Sequence, residues 1–100
     1  MRDGYSARTY IEMNNTQNKI VEICAELRDL LLEKNLAYGD SATNPVRIFS
    51  KSDNIEQINV RIDDKLSRIM RGSAAGEDVE WDLMGYLVLK RVAIQLNKEV

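Results

Sequence analysis

Three acidic side chains, Glu77, Asp78 and Asp82, stand close together at the head of a long apolar run, EDVEWDLMGYLVLKRVAIQL. Carboxylates so grouped can hold a divalent cation through oxygen ligands, or can be neutralised by lysine and arginine. Their placement on a helix separates them. At about 100° per residue, Asp82 falls in the middle of a face made by Leu89, Val92, Ala93 and Leu96, with Gly85 and Tyr86 at its edges. Asp78 lies one turn earlier. Glu80, Arg91 and Lys98 fall on the opposite side, so the face carrying Asp82 is expected to point inward. An ionised carboxylate there is costly without a partner. A metal would serve, and so would Lys34, Arg61 or Lys65 from a neighbouring helix. Negative charge in a first helical turn is favoured by the helix dipole, which accounts for Glu77 and Asp78. With a helix running from Glu77 to Leu96, Asp82 lies beyond that turn and needs another explanation.

Composition narrows the chemistry. The 100-residue chain contains no histidine and one cysteine, Cys24. Ser–His and Cys–His catalysis are therefore excluded, as are a cysteine zinc site and an intrachain disulfide. A metal here would be bound by oxygen, which points to magnesium or manganese. With 14 basic and 16 acidic residues the formal charge is −2, which gives no general attraction to DNA or anionic lipid. Leu83 to Leu89 is too short to span a bilayer, and the N-terminus has no apolar signal core. The expectation is a cytoplasmic protein with no membrane or DNA partner.

The elements that must position these residues are helical. Residues 1–15 read as an arm or a short helix, and residues 16–100 as one helical domain. Tyr5 and Tyr10, near Arg2 and Arg8, could stack on a base or simply pack on a neighbouring subunit. Thr16 to Asn35 is the first firm helix, with Ile20, Ile23, Cys24, Leu27, Leu30 and Leu31 on one stripe. Glu22, Glu26, Asp29 and Glu33 lie opposite, as a solvated face. Lys34 continues the stripe near the C-terminal end, where a cation suits the dipole or reaches a phosphate. Leu36 to Ser52 is the break, with Val46, Ile48 and Phe49 as anchors; a connection that long is often functional. Asp53, with Glu56 three residues on, resembles a capping box and opens a second helix. Ile55, Ile58, Ile62, Leu66 and Ile69 form its stripe, and Gly72 stops it. Arg61, Asp64 and Arg68 share its outer face as surface ion pairs. Asp63 and Lys65 flank the stripe and point either into a cleft or out to water. The GSAAG turn, residues 72–76, leads into the last helix. The sum is an all-α bundle of three main helices, packed antiparallel, with a further short N-terminal helix as the alternative to an arm. The last helix is too apolar for a lone small bundle, so a homo-oligomer, a dimer or larger, is expected.

Three clusters stand in order: Lys34-Asn35 with Tyr38-Gly39-Asp40-Ser41, then Arg61 to Arg68, then Glu77-Asp78 with Asp82-Leu83 and Gly85-Tyr86. As KNxxYGDS, RIDDKLSR and EDxxxDLxGY, they resemble a family of small bacteriophage proteins grouped with nucleotide-modification-associated domains. That family is similar to the all-α, MazG-like nucleotide pyrophosphohydrolases, and the resemblance covers Ile20 to Val92. It implies an oligomeric helical bundle with nucleotide held between helices, working in the cytoplasm of a bacterial host. Carried onto this chain, it implies that Glu77, Asp78 and Asp82 hold metal. Lys34, Arg61 and Lys65 would meet phosphates, and Asn35, Tyr38 and Tyr86 the base or sugar. The enzymes also carry an EExxE run on an earlier helix, and this chain does not; Glu22 and Glu26 face outward.

Three functional expectations follow. One is a magnesium-dependent nucleoside triphosphate pyrophosphohydrolase. The second is a non-catalytic protein that sequesters a nucleotide, for instance a cyclic nucleotide signal of antiphage defence. The third is a structural oligomer whose charges are internal pairs.

Overall fold

The computed structural model describes residues 13–44, 53–72 and 76–99, and these are helical apart from caps and turns. Among the described residues three helices follow in order: α1 (Asn15–Tyr38), α2 (Asn54–Arg71) and α3 (Val79–Lys98). The expected arm at residues 1–15 lies almost wholly outside the described residues. The anchors Val46, Ile48 and Phe49 lie outside them too. The chain divides into two units, Met1–Glu33 and Lys34–Val100.

In the first unit α1 starts from a reciprocal cap. The backbone N–H of Gln17 donates to Asn14 Oδ1 at 2.8 Å, and Gln17 Oε1 accepts from the Asn14 N–H at 3.1 Å. Asn-x-x-Gln thus closes two otherwise unpaired donors, as a capping box does. Glu22, Glu26, Asp29 and Glu33 are exposed, as the wheel placed them. The opposite stripe is covered unevenly. Leu27 is buried and Leu30 and Leu31 are half-buried, but Ile20 and Ile23 are 55% and 45% exposed.

In the second unit α1 ends later than its apolar pattern suggested, at Tyr38 rather than Asn35. Lys34 therefore lies before the last turn, which holds no basic residue, and the dipole argument for it lapses. Gly39 and Asp40 both take positive φ, 64° and 65°, to reverse the chain. Such a conformation suits glycine and is tolerated by aspartate, whose short side chain bonds locally. Asp40 Oδ1 accepts from Asn35 Nδ2 at 2.8 Å and from the Thr43 hydroxyl at 2.6 Å. Asn54 Nδ2 donates to the Thr43 carbonyl at 2.9 Å, tying this turn to the start of α2.

α2 has the bounds its sequence signals require. Asp53 caps it by accepting from the Glu56 N–H at 2.7 Å, and Gly72 ends it at φ 68°. α2 and α3 form an antiparallel pair, since Lys65 meets Asp82 while Arg68, further along α2, meets Glu77, earlier in the chain. Their core is Ile58, Ile62 and Ala93, with Ile55, Leu83 and Tyr86 packed around it. Ala93, fully buried, lets the two backbones approach.

Candidate functional site

Asp78 caps α3, accepting from the Trp81 N–H at 3.0 Å. The helix therefore begins at Val79, two residues later than expected, and Asp82 moves into its first turn. The dipole thus favours Asp82 after all. It is still not left to water: its side chain is 31% exposed, and Lys65 Nζ stands 3.5 Å from Oδ2.

Lys65 is the centre of a chain of charges across the α2–α3 seam. Its side chain is 13% exposed, and its ammonium lies between Asp82 and Glu77 Oε1, the latter at 3.6 Å. The same Glu77 oxygen accepts from Arg68 Nη1 at 2.6 Å, a charge-assisted bond. Arg68 Nε lies 3.3 Å from Asp64 Oδ2, one turn back on its own helix. A half-buried lysine within reach of two carboxylates avoids the cost of an unpaired charge.

Beside this network is an open concavity of about 630 Å³, lined by Gln57, Val60, Arg61, Asp64, Lys65, Arg68 and Tyr86. That volume lies in the range of small-molecule sites. Among its cations Arg61 is distinct. It has no carboxylate partner among the described residues, and its guanidinium sits 6.0 Å from the centre of the Tyr86 ring, at the outer limit of a cation–π contact. An exposed guanidinium beside an aromatic face offers a fork of donors to an anion and a surface to a planar ring.

Of the expected nucleotide contacts, the fold brings Arg61, Lys65 and Tyr86 to one concavity. Lys34, Asn35 and Tyr38 are exposed at the end of α1 and do not line it. Asn35 bonds Asp40, so its amide serves the turn. Asp63 is exposed. Arg68 is the site residue that sequence reasoning read only as a surface pair. Its signal was its distance from the turn: in an antiparallel pair joined near Gly72–Gly76, Arg68 and Glu77 fall near one another.

The acidic group does not fit a divalent cation as it stands. Asp78 is engaged as a cap, Glu77 by Arg68 and Lys65, and Asp82 by Lys65. Among the described residues no three acidic or cysteine side chains are grouped to hold a metal. The Lys65 ammonium lies within 4 Å of both Glu77 and Asp82 and already neutralises the carboxylates such an ion would need. No helix among those residues is long and apolar enough to cross a membrane.

Compared with protein-family models, curated proteins and solved structures, the chain matches none.

Proposed function

We propose that this chain binds a nucleotide in the α2–α3 concavity and holds it without cleaving it. The observation that carries this reading is the pairing of Arg61 with Tyr86 in a groove whose other cations already have carboxylates. Arg61 would take a phosphate oxygen, and the Tyr86 ring would stack on a base. The nucleotide class comes from the motif resemblance; the lack of cleavage is inferred from Lys65 pairing with the two carboxylates a metal would need. The resemblance also favours a cytoplasmic role in a phage-infected bacterium, where retaining a nucleotide, linear or cyclic, would withdraw a signal from antiphage defence. A magnesium-dependent pyrophosphohydrolase is the second reading; it needs Lys65 to leave the carboxylates.

A second copy of the chain fits the remaining apolar surface. Val88, Val92 and Leu96 stay exposed on α3, beside the face that packs on α2.

The test is incubation with mixed linear and cyclic nucleotides and magnesium. Intact ligand recovered from the denatured protein, and lost in Arg61→Ala, is the expected result. Pyrophosphate release abolished by Asp82→Asn would replace this reading with the enzymatic one. No binding of any nucleotide by calorimetry would leave a structural oligomer.

A further inference from the structure

Glu77 has a role that neither capping nor metal binding explains. It precedes α3, outside both helices, between Gly76 at φ 82° and the cap Asp78. Yet one oxygen of its carboxylate engages two of the three cations that line the concavity, Arg68 at 2.6 Å and Lys65 at 3.6 Å. Each of those cations keeps a second carboxylate: Asp64 for Arg68 and Asp82 for Lys65. Glu77 can therefore leave without stranding either. Its own side chain is 47% exposed, so it returns to water at little cost.

We propose that Glu77 is a built-in anion that occupies a second phosphate position of the concavity, in addition to the one at Arg61, and that a ligand's phosphate binds there by displacing it from Arg68 and Lys65. With Glu77 in place, the formal charges of Arg61, Lys65 and Arg68 are offset by those of Asp64, Glu77 and Asp82, so the groove carries no net formal charge. With Glu77 swung out, one positive charge is uncompensated, and two forks of donors, Arg61 and Arg68, face the same groove. The carboxylate thus keeps the groove closed to weak anions such as chloride or acetate. It yields to phosphate oxygens, which can engage a guanidinium bidentately. This inference rests on the reading of the concavity as a phosphate-binding site, but not on the ligand being a nucleotide.

Inorganic pyrophosphate is the probe, with calorimetry on the whole chain and on Glu77→Gln, whose fold is verified by circular dichroism. The amide can still accept from Arg68 while the competing charge is gone. Affinity for pyrophosphate should rise on the order of tenfold, the effect of removing one nearby charge from a partly exposed site. In the wild-type chain, the Glu77 side-chain carboxyl carbon should shift in the NMR spectrum as pyrophosphate saturates. This second readout stands even if the variant does not fold. Equal or weaker binding by folded Glu77→Gln, an unmoved Glu77 carboxyl signal at saturation, or no binding by either protein would overturn the proposal. Nucleotide failing to bind while pyrophosphate behaves as described would sink only the choice of ligand.

Discussion

Lys65 is the residue whose removal should be felt most in the site. Lys65→Met leaves Asp82 and Glu77 without their shared ammonium in a half-buried seam. The cost lies between that of a surface pair and that of a fully buried one, about 1–3 kcal/mol, and urea unfolding reads it. Asp82→Asn should cost less, because Lys65 keeps Glu77. If both variants unfold like the parent, the charges on this seam hold nothing together. Arg61→Ala should behave in the opposite way, leaving the urea midpoint unchanged while nucleotide affinity falls, since Arg61 is exposed and has no carboxylate partner among the described residues. The sequence narrowed the partner of Asp82 to a metal, Lys34, Arg61 or Lys65. It could not choose, because the choice is made by which turns of α2 and α3 lie side by side. That register depends on the length of the connection and on how Ile58 and Ile62 seat against Ala93. The bond from Arg68 to Glu77 was hidden for the same reason, whereas the pair it makes with Asp64 is local and was legible as spacing.

Individual elements were legible wherever a side chain ends a helix by its own chemistry. Asp53 and Gly72 bound α2 through a carboxylate acceptor and a left-handed backbone, both local properties. The start of α3 was misjudged because Glu77 and Asp78 suit a first helical turn; the side chain of Asp78 instead takes the cap, which delays the helix by two residues. The end of α1 was missed because the Asn35–Asp40–Thr43 bonds only become possible once Gly39 and Asp40 have turned left-handed. Those bonds give the turn a pH dependence. The hydrogen bonds from Thr43 and then Asn35 hold the Asp40 carboxyl below its usual range. A depressed carboxylate contributes stability that is present above its unfolded value of 3.8 and is lost as pH falls through the still lower folded value. The turn should therefore loosen only below about pH 4, read by amide exchange at Thr43 and Asn44. Asp40→Ala should loosen it at every pH, by about 1–2 kcal/mol, from the lost acceptor and the strain of alanine at positive φ. Asp40→Gly removes the strain but not the loss, so its effect should be intermediate. Equal exchange in all three proteins would mean that the bonds do not hold the turn.

For the whole molecule, the decisive quantity is apolar surface that the paired helices do not consume. Val88, Val92 and Leu96 recur every four residues along α3 and stay exposed, a row beside the face that meets α2, while Gly85 on the same side is buried and Trp81 half-buried. The wheel assigned Val92 and Leu96 to the inward face with Asp82. They are exposed because contact with α2 is centred on Ala93 and Tyr86, which turns the two aside. This row contains no ionised group, so burying it against another copy desolvates no charge, and positions four apart lie on one side of a helix. Scattered exposed apolar residues need no partner, but a continuous stripe is the signature of an interaction surface. The second-copy reading therefore predicts a mass of two chains or more by light scattering at micromolar concentration. Val88→Glu should bring that mass down to one chain, since two copies would then face each other with unpaired carboxylates. Arg91→Glu, on the polar side of the same helix, should leave the mass unchanged. The two variants add the same side chain to the same helix, so a difference between them isolates the stripe from any general effect of charge. A wild-type chain that is monomeric throughout this range would end the oligomeric reading and leave the stripe to some other occupant.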